Sequence, residues 1–236
     1  MKIGLIGYGK MGKEIEKLIL ETSHEITAIY TSDKLFLADM SPNCDVLIDF
    51  SFPKEVESHI KHAILCKKNI VIGTTGWYDK IHSISSMINN SIGCVYSGNF
   101  SPGVHVMRKV TKELSLLLSS IGQYDISIIE EHHRHKIDFP SGTSLQLAAE
   151  ILSGFPEKTT ITHNPQDAVL DAHSLLISGI RNGEIIGKHT ILADSSIDSI
   201  TLIHSAKNRR GFAQGAILAA EKIANKKGFY EFSELI

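Results

Sequence analysis

Lys2-Ile3-Gly4-Leu5-Ile6-Gly7-Tyr8-Gly9-Lys10-Met11-Gly12 opens the chain with an apolar run that breaks into spaced glycines. The spacing from Gly7 is G-x-G-x-x-G. Alone it is a weak signal; its context gives it weight. A strand-like run precedes it, and Met11, Ile15, Leu18 and Ile19 follow on one side of a helical repeat. Glycines here permit a tight turn and let the backbone approach a pyrophosphate. The helix start supplies N–H groups and a positive dipole end. Gly7, Gly9, Lys10, Met11 and Gly12 are therefore candidate cofactor-binding residues. An ordinary glycine-containing turn is the bland alternative.

Outward from this turn the rhythm continues. Apolar strand patterns are expected over residues 2–7, 25–30, 44–50, 69–73 and 93–97. Helical patterns fall between them over 11–21, 55–67 and 78–89. Strands alternating with helices predict a parallel sheet covered on both faces. After Ser101 the pattern changes. A long helix is expected over 104–119, a strand over 124–130 and a helix over 144–152. Strands over 174–181, 189–193 and 199–204 then follow with few helical intervals, separated by turn signals such as Arg181-Asn182-Gly183. A helix over 211–226, rich in small residues, returns to the first domain. The fold class read from this is α/β: a Rossmann-type parallel-sheet cofactor domain plus an α+β domain with a mostly antiparallel sheet. The domains are residues 1–101 with 209–236, and 102–208.

Composition fits that reading. The chain has 236 residues, 42% of them hydrophobic, and a formal net charge of -2. That is enough apolar matter for a core, and nothing in the charge suggests nucleic acid or a membrane as partner. No run approaches the length of a membrane span. Cys44, Cys66 and Cys94 are scattered and form no C-x-x-C pair, which favours a reducing, cytoplasmic setting.

A second cofactor signal is Gly73-Thr74-Thr75-Gly76, after the fourth strand. Glycines there would let the backbone lie against a nicotinamide ring, with hydroxyls and amides near its carboxamide. A strand-to-helix turn with threonine caps is the alternative. Asp49-Phe50-Ser51 ends the third strand at the same sheet edge, where ligands of such sheets bind. The ribose position is less distinct. Tyr30-Thr31-Ser32-Asp33-Lys34 stands where a carboxylate often follows the second strand, so NADH and NADPH both remain open, with Lys10 or Lys34 available for a 2′-phosphate.

The densest chemistry is Glu130-Glu131-His132-His133-Arg134-His135-Lys136-Ile137-Asp138-Phe139-Pro140-Ser141-Gly142-Thr143. The cationic side chains suit an anionic substrate and a proton donor. The amides at Gly142 and Thr143, at a helix start, make a second anion site. A small dicarboxylate suits both. Three plainer readings stand beside this one. The histidines are metal ligands, although Arg134 and Lys136 would repel a cation. The run is a solvated basic loop. Ser141 is only an N-cap, which is compatible with binding.

This run resembles the E-x-H-H-x-x-K-x-D-x-P-S-G-T signature of the dihydrodipicolinate reductase family. Other stretches resemble it in the same order: Asp49-Phe50-Ser51, Gly73-Thr74-Thr75-Gly76, Asn99-Phe100-Ser101, the Arg181–His189 stretch and Arg210-Gly211-Phe212-Ala213. The resemblance implies hydride delivery from NADH or NADPH to a cyclic dicarboxylate, with a proton from the protein. It implies His132 as general acid and Lys136 as alternative or cooperating donor. His133, Arg134, Ser141, Gly142 and Thr143 match substrate-binding positions. Gly7, Gly9, Lys10, Met11, Gly12, Gly73, Thr74, Thr75, Ser97 and Phe100 match cofactor positions. It implies no resident metal and a homotetramer formed through the C-terminal domains' sheets. Three departures accompany it. Ile6 takes the first slot of the usual glycine turn. The acidic-basic pair after the second strand is replaced around Tyr30-Thr31. The segment before Ser178 is short. Competing readings are a two-domain reductase of the aspartate or homoserine dehydrogenase kind, and a nucleotide sensor that lost its chemistry. Neither accounts for His132 and Lys136 together.

Overall fold

The computed structural model describes residues 1–37, 41–163 and 170–236. The short segment noted ahead of Ser178 includes residues 164–169, which lie outside the described residues. The chain divides into two compact units, Met1–Ser101 with Arg209–Ile236, and Pro102–Asn208.

In the first unit, β1 (Lys2–Ile6), α1 (Lys10–Ile19), β2 (Glu25–Tyr30), β3 (Val46–Asp49), α2 (Val56–Leu65), β4 (Asn69–Ile72), α3 (Ile81–Ile88) and β5 (Gly93–Tyr96) follow in order. In the second, α4 (Pro102–Ile121), β6 (Asp125–His132), α5 (Gly142–Gly154), β7 (Thr160–His163), β8 (Ser174–Arg181), β9 (Gly187–Asp194) and β10 (Ser199–Ala206) follow. The chain then re-enters the first unit with α6 (Arg210–Ile223) and β11 (Gly228–Glu231).

The first sheet is wholly parallel, in the order β11-β5-β4-β3-β1-β2. Its strands are short apolar runs because both faces are covered. Alternate residues go to opposite faces. Val46 and Ile48 join α1 and α6 in one core layer, while Leu47 joins α2 and α3 in the other. Ala213, Ala216, Ala219 and Ala220 are fully buried, so α6 presents small side chains to that layer. Asn69 closes its end: the side-chain amide donates to the Ile223 carbonyl at 2.7 Å, and its oxygen accepts from Gly93 N at 2.7 Å. Strand β11 carries no sequence signal of its own beyond four residues.

The second sheet runs β10-β9-β6-β8-β7. Its two longest ladders, β9–β10 and β6–β9, are antiparallel; β6–β8 and β7–β8 are parallel. The α4 and α5 helices pack on one face, over Ile126, Ile128, Leu175, Ile177, Ile191 and Ala193. On the opposite face Ile180 and Ile203 are about half exposed, at 47% and 55%. The edge strand β7 was not expected from the sequence. Among the described residues all three cysteines are free. No helix among them is long and apolar enough to cross a membrane.

Candidate active site

In the first unit, register builds the site. Tyr30 and Asp49 pair with Ile6, and Ile72 pairs with Asp49 and with Tyr96. The strands therefore end on one line, and Gly7, Phe50, Gly73 and Ser97 follow one another along the carboxyl edge. In the order β3-β1-β2, successive strands are added on opposite sides of β1, and the crevice between β1 and β3 is the switch point where such sheets bind ligands.

Gly7 has φ +88°, and a Cβ there would lie 2.3 Å from the Phe50 carbonyl oxygen. Gly12 would meet the Gly7 carbonyl at 2.4 Å, so the helix start lies directly against the turn. Gly9 faces open space and caps α1 without a side-chain hydrogen bond. No acidic residue occupies that first turn. Outward N–H groups with no competing side chain fit a pyrophosphate. Gly73 is equally constrained: a Cβ would fall 2.1 Å from the Phe50 ring. Lys10 and Thr75 are exposed. Beside the turn lies a cleft of about 650 Å³, bordered by Gly7, Gly9, Tyr30, Thr31, Ser51 and His59. These features fit a dinucleotide.

Three candidate cofactor residues take places that differ from a hydroxyl or ring offered to a ligand. The Thr74 hydroxyl donates to Asp49 Oδ1 at 3.1 Å and accepts from Ser51 N at 2.8 Å. The Ser97 hydroxyl donates to the Asn99 carbonyl at 2.8 Å. Phe100 is buried between Phe50 and Phe232. The buried Asp49–His59 pair, at 2.8 Å, was not singled out from the sequence. Its signal was Asp49 at a strand end. Neither Asp33 nor Lys34 borders the cleft, where Lys54 and His59 are the basic groups. The Lys34 ammonium instead lies over the Tyr30 ring.

In the second unit the inner face of the sheet changes character at one end. Along β6, Ile126 and Ile128 give way to Glu130 and His132. On β8, Leu175 and Ile177 give way to Gly179 and Arg181. On β9, read backwards, Ala193 and Ile191 give way to His189 and Gly187. Alternation puts each set on one face, and register aligns them: Glu130 with Gly179 and His189, His132 with Arg181. The start of α5 meets the same end.

Glu130 is fully buried and is the centre of this group. It accepts from Arg181 Nη2 at 2.7 Å, Ser141 N at 2.8 Å and the Ser144 hydroxyl at 2.5 Å. His132 Nδ1 lies 3.5 Å from its Oε1, an ion-pair distance rather than a formed hydrogen bond. Burial would push the Glu130 carboxyl up. The adjacent His132 ring and the bonds from Ser144 and Ser141 outweigh that and hold it well below the usual carboxylate range. His189 stands edge-on to His132, with centroids 5.2 Å apart, and its Nε2 meets the Ser141 hydroxyl at 3.2 Å. Burial first, and the charge of His132 second, lower His189 to about 4.

Ser141 caps α5: its hydroxyl accepts from Ser144 N at 3.2 Å and is buried. Its hydroxyl is thus shared between the helix start and His189. Gly142 is exposed, with open space where a side chain would be. Lys136 is held by Asp138 at 2.7 Å. His133 is half-buried and Arg134 is exposed. The sequence pattern brought His132, Lys136 and Ser141 forward; Arg181 and His189 stood in it only as the two ends of a family-like stretch and were not assigned to the site.

Glu130, His132 and His189 also offer ligand atoms within 4.8 Å of one another, the group with metal-holding geometry among the described residues. Arg181 already occupies the carboxylate oxygen that faces His132, and a guanidinium there opposes a cation. The set behaves as an ion-paired carboxylate network.

Comparison with known proteins agrees with both units. The family model described as dihydrodipicolinate reductase, N-terminus, matches residues 1–100, and that described as its C-terminus matches residues 103–236. A 4-hydroxy-tetrahydrodipicolinate reductase from Christiangramia forsetii is 35% identical over 244 aligned positions, covering 100% of this chain and 98% of the relative. One from Campylobacter curvus is 32% identical, covering 100% and 99%. The solved structure of a dipicolinate-bound dihydrodipicolinate reductase from Paenisporosarcina sp. TG-14 shares the fold, with TM-score 0.80, 24% identity and coverage of 100% and 99%. With its glycine turn, its Glu130–His132 network and matches that span both units, the chain belongs to the dihydrodipicolinate reductase family.

Proposed function

We propose that this NAD(P)H-dependent oxidoreductase reduces 4-hydroxy-tetrahydrodipicolinate to tetrahydrodipicolinate with loss of water, a step of diaminopimelate and lysine biosynthesis. The observation that carries this reading is a buried histidine, His132, beside an ionised carboxylate and a helix start whose first residue, Gly142, is open. The nicotinamide, when bound, supplies the hydride. The chain's own groups do the rest. Gly7, Gly9, Lys10, Met11 and Gly12 cradle the pyrophosphate, and the backbone at Gly73, Thr74 and Thr75 borders the nicotinamide end. Ser97 and Phe100 shape that edge from behind. The amides of Gly142 and Thr143 grip a substrate carboxylate, on a turn whose shape Ser141 sets, and His133 and Arg134 add positive charge.

Loss of the 4-hydroxyl as water gives a conjugated imine, and hydride addition to it leaves negative charge on the conjugated system. His132 donates the proton that quenches it, and Lys136, restrained by Asp138, cooperates or substitutes. The cofactor is NADH or NADPH with modest discrimination, because no arginine stands at the end of β2. A homotetramer forms through the outer sheet face bearing Ile180 and Ile203, and the setting is cytoplasmic; molar mass in solution tests the assembly. A positioned acid contributes about 10²–10⁴-fold. His132→Ala and Lys136→Ala are therefore expected to lower turnover by such factors while cofactor affinity, measured by titration, stays within about twofold. If both variants keep parental turnover, the assignment fails.

A further inference from the structure

We propose that Glu130 is a positioning residue: its carboxylate holds the ring of His132 and the first turn of α5 in one fixed relation. It thereby sets the proton donor against the group that grips the substrate. The inference rests on the assignment of His132 as proton donor.

The two oxygens of Glu130 divide the work. Oε2 accepts both donors from the helix start, Ser141 N and the Ser144 hydroxyl. Oε1 takes Arg181 and faces His132 Nδ1. A side chain needed only to balance Arg181 would not have to reach α5 at all. Conversely, a helix cap alone would not lie opposite a histidine ring. Glu130 joins three elements because it sits two residues before His132 on the same strand face, with α5 above it.

The 3.5 Å gap to Nδ1 is within reach of closure when a ligand settles the site, as catalytic hydrogen bonds often do. An acceptor at Nδ1 keeps a proton on that nitrogen, so the proton the imidazolium gives up is the one on Nε2, on the other side of the ring. No Cβ crowds that side. Gly187 lies beside it, and a Cβ there would stand 3.3 Å from Nε2. Other charged and titratable groups at this end are Arg181 from β8, His189 from β9, His204 from β10, and Lys136 and Asp138 from the loop. His189, kept neutral by burial, adds no competing positive charge next to His132.

The test is a double-mutant cycle on the full chain, read as kcat, with cofactor affinity measured alongside. Glu130→Gln keeps the shape and removes the charge. It is expected to lower kcat at least tenfold and leave the cofactor Kd unchanged. In a His132→Ala background the same substitution is expected to change kcat less than twofold, because positioning acts through the ring that is no longer there. A Glu130→Gln variant within twofold of the parent overturns the proposal. So does an equal loss in both backgrounds, which is the signature of a merely structural role. Should glutamine beside Arg181 prevent folding, Glu130→Asp enters the same cycle under the same criteria, since it keeps the charge but withdraws it from His132. Parental turnover in His132→Ala alone refutes the donor assignment and the inference with it. Loss in His132→Ala without loss in the Glu130 variants refutes the inference only.

Discussion

His189 makes the stability of the second unit pH-dependent in a way that can be calculated. The residue is 4% exposed, and burial lowers its pKa from 6.5 to about 4. Between those values the unfolded chain binds a proton that the native chain refuses. Stability from this group is therefore fully present above about pH 6.5 and is lost as pH falls toward 4. The full shift corresponds to roughly 3 kcal/mol, and about 2 kcal/mol of it is lost by pH 5. The perturbation is His189→Gln, which keeps polar atoms and cannot titrate. The assay is urea unfolding of both proteins at several pH values from 8 to 5. His132, His204, Glu130 and Lys136 face the same ring and remain in both, so subtraction isolates His189. The parent is expected to lose about 2 kcal/mol more than the variant over that range. Its absolute stability at pH 8 is immaterial; the slope decides. Parallel stability–pH curves would refute the reasoning, because they would mean His189 takes up its proton in the folded state as easily as in the unfolded one.

Other outcomes follow from particular contacts. Gly7→Ala places a Cβ against the Phe50 carbonyl at a φ that costs alanine roughly 1 kcal/mol before any clash; cofactor titration is expected to find at least a tenfold loss of affinity, with a lower Tm. Asn69→Ala removes bonds to the Ile223 carbonyl and Gly93 N, which predicts a loss of about 1–3 kcal/mol in urea unfolding with kcat unchanged. The ratio of kcat/KM for NADPH and NADH is expected to stay below about a hundredfold, roughly 2.7 kcal/mol; a larger ratio would mean that a group outside Tyr30–Ser32 reads the 2′ position.

The alternation of strands and helices up to residue 97 was legible because a parallel sheet covered on both faces needs continuous apolar runs, and those runs are local. The glycine turn was legible for a similar reason: positive φ at Gly7 and close approach at Gly12 and Gly73 are demands that only glycine meets. The run from Glu130 to Thr143 displayed its own chemistry. What the chain did not display was anything made by pairing. Strand β11 is four residues that become a strand by lying along β5, and β7 is an edge that exists because β8 is there. Thr74 read as a hydroxyl for a ligand, but Asp49, twenty-five residues away, takes it. Arg181 and His189 are fifty-one and fifty-nine residues from Glu130, and only the register of β8 and β9 against β6 turns them toward it. Residue types and their local spacing are written in the sequence; which carboxylate ends up beside which ring is decided by strand register, a cooperative outcome of burying the whole sheet.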